Sequence, residues 1–462
     1  MVIQSFIFYW RKNLAVALGV AVSTAILTGA LVVGDSMQYS LQRLVDLRLG
    51  NVTHTLTAGD RYFSEDLALQ LENRLGKSSA AVLVMEGSAV VGGGEKRLPK
   101  VQILGLDEKA DKVFGLSNHF SELSDDEVII SENLATRLDV EPGETILFRI
   151  RKASLIPLNA PFVSDEEVSV PLRLTVSSIA KPSEMSRFNL HNTQTAPFNA
   201  FVSKNRIDQL MELDQKVNTI LIAGDDLKTS ELEAALQESW SLEDLGLRIR
   251  PVQSGEQMEL ISVRVFLDEV ISNSVLNVQP DAQPVLTYFV NSINSNSGST
   301  PYSFVTAIKD ENLSDNDIWI YTWLAEDLNL KQGDSLRLNF FQVGPLRKLE
   351  VREETFLVKG IQAIEGIFGD ETLAPDLPGL SDAGNCRDWE TGVPIDLEAI
   401  RDKDEDYWDN YHGTPKAFIS LAKGEQLWEN RFGTLTAIRF EQNQFNESDF
   451  LKNLHEDFQI ED

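Results

Sequence analysis

The pattern of apolar and polar positions divides the chain into a membrane-compatible opening and a long globular remainder. Leu14 to Val33 is an uncharged run of 20 residues, preceded by Arg11-Lys12 and followed by Gly34-Asp35. As a helix it spans about 30 Å, the hydrocarbon thickness of a bilayer. The cations before the run and the acid after it predict a cytoplasmic amino terminus at 1–12 and a transmembrane helix at 13–34, with Tyr9 and Trp10 as interfacial anchors and the remainder exported. A cleavable signal peptide competes, because Thr28-Gly29-Ala30 is a small-x-small site, but signal cores are shorter, about 7 to 15 residues. Either reading exports the mature domain. One face of the helix is nearly smooth: Ala17, Ala21, Ala25 and Gly29 form one row, and Ala15, Gly19 and Ser23 an adjacent one. Small residues at that spacing let a second membrane helix approach closely, which makes this face a candidate packing site. A simple Ala-rich anchor is the bland alternative. No other run in the sequence approaches spanning length.

Helical periodicity continues past the membrane through Met37, Leu41, Leu44 and Val45 to a stop at Gly50, predicting a stalk helix over 35–50. An α/β lobe is then expected over 51–124: a strand at Val52–Thr57, a helix capped by Ser64, and strands at Ala80–Val91 and Arg97–Leu106 joined across Gly92-Gly93-Gly94. A similar set is expected at 214–315, with strands at Lys216–Ala223 and Leu247–Val252 and helices at Ser230–Trp240 and Val263–Leu276. The pattern leaves open whether the two sets complete one another or form two copies. Repetition is the strongest organisational signal. Leu134-Ala135-x-x-Leu138 with Gly143 recurs as Leu324-Ala325-x-x-Leu328 with Gly333, 190 residues on. Downstream, Ala200-Phe201-Val202-Ser203 recurs as Ala417-Phe418-Ile419-Ser420, 217 residues on. Two β-rich modules follow, 125–213 and 316–440, the second enlarged by an insertion at about 366–412, with a carboxy-terminal segment at 441–462.

Composition narrows the partners. A net charge of −30 argues against nucleic acid and against adhesion to anionic lipid, both of which need clustered cations. The single Cys386 excludes an intrachain disulfide. The sequence lacks a nucleotide-binding P-loop and the metalloprotease and hydrolase motifs, and His54, His119, His191, His412 and His455 lack metal-ligand spacing, so no catalytic residue, cofactor or metal is assigned. Asp402, Asp404, Glu405, Asp406 and Asp409 make a calcium site conceivable but lack the usual loop spacing, so a solvated face is the plainer reading. Trp389, Trp408 and Trp428, with Tyr407 and Tyr411, either line a sugar or peptide groove or plug the core of the insertion.

Arg11-Lys12-Asn13-Leu14 before an Ala/Gly-rich span, Gly34-Asp35-Ser36 and Ser40-Leu41-x-Arg43-Leu44 resemble the first transmembrane helix of MacB/FtsX-like ABC transporter permeases. The two Leu-Ala-x-x-Leu segments resemble the small β-rich lobe of that family's periplasmic core. Asn385-Cys386-Arg387-Asp388-Trp389, Tyr407-Trp408 and Thr414-Pro415-Lys416-Ala417-Phe418 resemble a larger branch with a duplicated core. The resemblance implies an α+β fold: one amino-terminal transmembrane helix, then an extracytoplasmic region of split β-α-β lobes and two repeated β-rich modules. It implies a non-enzymatic permease subunit of the bacterial inner (plasma) membrane, working as a homo- or heterodimer with an ABC ATPase subunit and further transmembrane helices in the lipid bilayer. Export or outer-leaflet extraction of a substrate would be driven by ATPase motion passed through the stalk. Such permeases continue into a helix bundle, so an amino-terminal portion or a split subunit is expected. A single-pass exported binding or scaffold protein is the alternative; an exported hydrolase has no motif in its favour.

A reporter enzyme fused after residue 60 is expected to be active only outside the cytoplasm. Cytoplasmic activity there would reverse the topology.

Overall fold

The computed structural model describes all residues except 1–3, 5–6, 60, 152–168, 192, 194, 254, 345–348, 378, 382, 390–393, 443–445 and 458–462. Helix α1 runs unbroken from Trp10 to Leu49, 40 residues, and no residue of it is buried. Ala, Leu and Val without an internal proline carry it through. Gly50 ends it at φ 59°, and its N–H donates to the Asp46 carbonyl. Thr24 Oγ1 donates to the Val20 carbonyl at 2.8 Å, so a hydroxyl inside the apolar stretch is satisfied by its own helix.

The first copy of the globular fold comprises β1 (Val52–Thr57), β2 (Phe63–Ser64), α2 (Asp66–Leu75), β3 (Ser78–Val91), β4 (Lys96–Leu106), α3 (Glu108–Phe114), β5 (Glu127–Ser131), α4 (Glu132–Leu138), β6 (Thr145–Arg151), β7 (Ser169–Ala180), β8 (Asn199–Ser203), α5 (Lys204–Met211), β9 (Lys216–Val217), β10 (Thr219–Ala223) and α6 (Thr229–Gln237). Eight strands form one sheet in the order β1-β10-β3-β4-β8-β5-β7-β6, and β6 returns to pair with β3. The last six therefore close into a barrel. Gly87 sits where β3 meets β6; a Cβ there would lie 2.7 Å from the Arg149 carbonyl oxygen, so the closure needs glycine.

The second copy comprises β11 (Leu247–Pro251), β12 (Gln257–Ser262), α7 (Glu269–Val278), β13 (Gln283–Asn294), β14 (Ser299–Ile308), β15 (Asp317–Tyr321), α8 (Thr322–Asp327), β16 (Ser335–Val343), β17 (Leu349–Gln362), α9 (Asp402–Tyr411), β18 (Ala417–Ser420), α10 (Leu421–Trp428), β19 (Ala437–Glu441) and α11 (Glu447–Asp457). Its sheet order from β12 onward, β12-β19-β13-β14-β18-β15-β17-β16 with β16 returning to β13, repeats the first, and β11 is added outside β12. Leu134 and Leu324 are fully buried at equivalent places in α4 and α8. Ser203 Oγ donates to Asp125 at 2.6 Å, and Ser420 Oγ donates to Asp315 at 2.8 Å, so even side-chain bonds recur.

This arrangement corrects the expected boundaries. The segment at 214–315 is not one lobe: β10 hydrogen-bonds to β3 in the first sheet, whereas β12, β13 and β14 belong to the second. The expected helix at Val263–Leu276 starts only at Glu269, and the strand β12 before it escaped the pattern. Ser64 lies in β2 and the helix cap is Glu65. The carboxy-terminal segment is part of the second copy, because Phe450 and Leu454 of α11 are buried in the core; residues 458–462 lie outside the described residues.

Between β17 and β18 the insertion is fastened at both ends by buried charge. Asp370 accepts from Arg439 Nη1 at 2.8 Å, and Arg439 also donates to Glu259 at 3.0 Å. At the other end Arg401 bridges Asp404 at 2.7 Å and Asp327 at 2.8 Å. Lys416 is buried, with its ammonium 4.4 Å from the Trp323 ring centre and 4.6 Å from that of Tyr407. Trp389 and Trp408 meet edge to face at 5.1 Å inside the insertion around a cavity of about 20 Å³, too small for a sugar or peptide. Trp428 lies apart from them, stacked on Tyr288 at 5.0 Å. The acidic run forms α9, where Asp404 turns inward to Arg401, and among the described residues no three His, Cys, Asp or Glu side chains converge on a metal position.

Burial pulls the Lys416 ammonium down to about 8, with Asp404 opposing the shift. Below that pH the folded state bears the full cost of a buried cation; between about 8 and 10.5 it sheds the proton that the unfolded chain keeps. Wild type should therefore gain on the order of 2 kcal/mol relative to Lys416→Met between pH 7 and 9.5. Parallel thermal-unfolding curves against pH for the two proteins would refute this assignment.

Candidate functional site

The candidate site is the membrane helix and the joint at its end. All seven small residues of the predicted packing face, Ala15, Ala17, Gly19, Ala21, Ser23, Ala25 and Gly29, line α1. A Cβ added at Gly19 or Gly29 would meet nothing within 4 Å, so the chain's own fold leaves that face bare. The stalk residues Met37, Leu41, Leu44 and Val45 are likewise exposed. No helical kink separates the span from the stalk. Residues 34–49 thus carry the helix on by about 24 Å in the same rigid element.

At the top of the stalk the chain is clasped. A Cβ on Gly50 would come within 3.0 Å of Met185 Sδ and 3.4 Å of the Phe114 carbonyl oxygen. Met185 is itself held at φ 63°, a left-handed conformation uncommon for a non-glycine residue. The β7–β8 loop bonds back to the helix end: Arg48 Nη1 donates to the His191 carbonyl at 3.5 Å, and the Asn189 N–H donates to the Arg48 carbonyl at 3.4 Å. Asn199, wholly buried at the start of β8, holds that loop from below by donating to the Ser186 and Phe188 carbonyls at 3.1 and 2.9 Å. Phe188 packs on Phe114 at 5.1 Å, and the Phe114–Phe120–Phe201 contacts continue to β8. Asp111 fixes the turn after α3 by accepting the N–H groups of His119, Phe120 and Ser121. A continuous packed path therefore joins the helix end to the barrel.

Sequence reading named the face and the stalk as candidates and missed the clasp. Gly50 was legible as a stop; Met185, Asn189 and Asn199 are distant in sequence and follow no motif. The histidines do not converge. His191 lends only its carbonyl to Arg48, and His455 packs its ring on Trp240 at 4.0 Å, where burial lowers its pKa. Burial also pushes the Cys386 thiol up to about 12, which leaves it a poor nucleophile.

Residues 14–239 match the family of the MacB-like periplasmic core domain, and the match stops just beyond α6, where the first copy ends. The chain carries a MacB-like periplasmic core domain. Ahead of and within that match runs a helix, Trp10–Leu49, that is long and apolar enough to cross a membrane. The extracellular domain of the noncanonic ABC-type transporter YknZ from Gram-positive bacteria is 13% identical, with 39% of this chain and 88% of that one covered, at a TM-score of 0.26. The periplasmic region of MacB from Actinobacillus actinomycetemcomitans is 16% identical, with 38% and 72% covered, at a TM-score of 0.24. These likenesses add nothing to the family match. No curated protein matches the chain. In the MacB-like domain the clasp is where the membrane helix enters the fold.

Gly50→Ala should strain this joint twice, through its positive φ and through Met185. A loss of about 1–3 kcal/mol is expected. Thermal unfolding of the full chain in detergent, with proteolysis mapped around residue 50, checks it; an unchanged melting temperature and cleavage pattern would show that the joint is loose.

Proposed function

We propose that the chain is the periplasmic core and first transmembrane helix of an ABC transporter permease in the bacterial inner membrane, with a cytoplasmic amino terminus. A separate ATPase subunit supplies the work, and further permease helices pack on the small-residue face of α1. ATP-driven motion of those helices is passed along the stalk to the MacB-like domain, driving export or outer-leaflet extraction of a substrate. The permease works as a dimer. The observation that carries this reading is the unbroken 40-residue helix clasped at its end, because a rigid lever fixed at Gly50 transmits displacement where a flexible tether would absorb it.

If Ala21 and Gly29 pack against permease helices, Ala21→Leu or Gly29→Leu keeps the segment apolar enough to insert but blocks close approach. Insertion and export should survive, while co-purification with the remaining membrane helices and ATPase-coupled transport should fall at least tenfold. Val20→Leu, on another face, should be tolerated. The three variants are compared at matched expression beside the helix bundle and its ATPase. Equal assembly and activity for all three would make α1 only an anchor and favour a single-pass scaffold.

A further inference from the structure

The two sheets end differently at the same place. In the second copy the far side of β12 is taken by β11, which pairs with it antiparallel from Leu247 opposite Ser262 to Pro251 opposite Met258. In the first copy β1 pairs with β10 on one side, and among the described residues no strand lies on its other side. The fold accepts a strand at this edge, and the first copy leaves the edge open.

The open edge lacks the usual protection. Exposed sheet edges are commonly guarded by charge or proline. β11 has both, because it exposes Arg248 and ends in Pro251. β1 reads Val52-Thr53-His54-Thr55-Leu56-Thr57, with no proline and no Asp, Glu, Lys or Arg, and its one irregularity is the bulge at Thr53. The Ala58 N–H donates to the Asn218 carbonyl, so alternation turns the backbone of Leu56 and His54 toward β10 and that of Thr55 and Thr57 outward. Beyond the bulge, two N–H and two C=O groups therefore face away from the sheet, with exposed threonine side chains on either side of a half-buried Leu56.

Those four groups suit an identical edge. Antiparallel pairing with β1 of another molecule, centred on Leu56, sets each Thr55 opposite a Thr57, joins all four groups and brings the two leucines together across a two-fold axis. Charge favours the same occupant: two chains of net charge −30 repel, and an uncharged strand is a place where they can meet. β1 begins at Val52, directly beyond the clasp, so two molecules anchored by α1 present it at the same height above one membrane. Shared anchorage raises the effective concentration, which lets a short contact hold.

We propose that two molecules of this chain join edge to edge through β1, making their first sheets one continuous sheet. The pairing rests on the dimeric part of the proposed function and does not need ATPase coupling.

The test is oxidative cross-linking of the full chain in membranes, read on non-reducing gels. Residues facing one another across the centre of such a pair have Cα atoms about 4.5 Å apart, within reach of a disulfide. Leu56→Cys is expected to give a covalent dimer at least tenfold above Glu95→Cys, an exposed site elsewhere on the first copy. Wild type, whose Cys386 is buried, should give none. Adding Thr55→Lys/Thr57→Lys to Leu56→Cys sets cations against cations and should abolish the dimer at an unchanged melting temperature. Cross-linking of Leu56→Cys no greater than that of Glu95→Cys, or indifferent to the lysines, would overturn the proposal. Light scattering of the unoxidised wild-type chain in detergent separates the two readings: a dimer without Leu56→Cys cross-linking refutes the edge contact and leaves the dimeric permease standing, whereas a monomer without it refutes both.

Discussion

Each copy of the fold hangs from one long strand that belongs to two layers. β3 gives residues 78–82 to β10 in the open part of the sheet, then turns the same edge to β6 through residues 87–90, while its other edge carries β4. β13 does the same with β19 and β16. Hydrogen bonding along a single pleated strand makes the open sheet and the barrel one rigid body. A displacement delivered at one end of such a strand has no soft joint in which to dissipate.

Sharing a strand also explains why sequence reading divided the chain wrongly. The strand at 219–223 lies 137 to 145 residues from its partners in β3, and hydrophobic alternation carries no information about which strand pairs with which. Local signals served well: the helix expected over 13–50, which starts three residues earlier at Trp10, the hairpin across the three glycines and the Leu-Ala-x-x-Leu repeat all form as their periodicity predicts. The repeat itself was legible further than it was followed. The 217-residue spacing seen at Ala200 and Ala417 also joins Thr219 to Thr436, both buried at the start of equivalent strands. Substitution hid the rest, since Ile222 in one copy corresponds to Arg439 in the other.

That pair of positions shows how the copies diverged. Ile222 is an ordinary apolar core residue, whereas Arg439 is buried as deeply and needs Glu259 and Asp370 to offset its desolvation. Asn199 and Lys416 diverge in parallel: both are buried at the strand that receives the β7–β8 or β17–β18 connection, and both hold that connection in place. In the first copy an amide bonded to two carbonyls suffices for a short loop. In the second an ammonium boxed by Trp323 and Tyr407 anchors a much longer insertion. Buried ions are weak sources of stability but demanding ones in geometry, so they fix where the insertion lies more than how tightly the domain folds.

The same comparison separates what is shared from what is particular to the membrane side. Both copies retain the connection after the fifth barrel strand, but among the described residues it holds a helix end only in the first. Two positive-φ residues meet there: Gly50 at φ 59° lies against Met185 at φ 63°. Unfavourable backbone conformations persist only where surrounding packing over-determines them. Here that packing is Phe188, Phe114 and the buried Asn199 beneath, all part of the first barrel's outer core. The joint is therefore stiff because the barrel behind it is closed and the helix in front of it is unbroken.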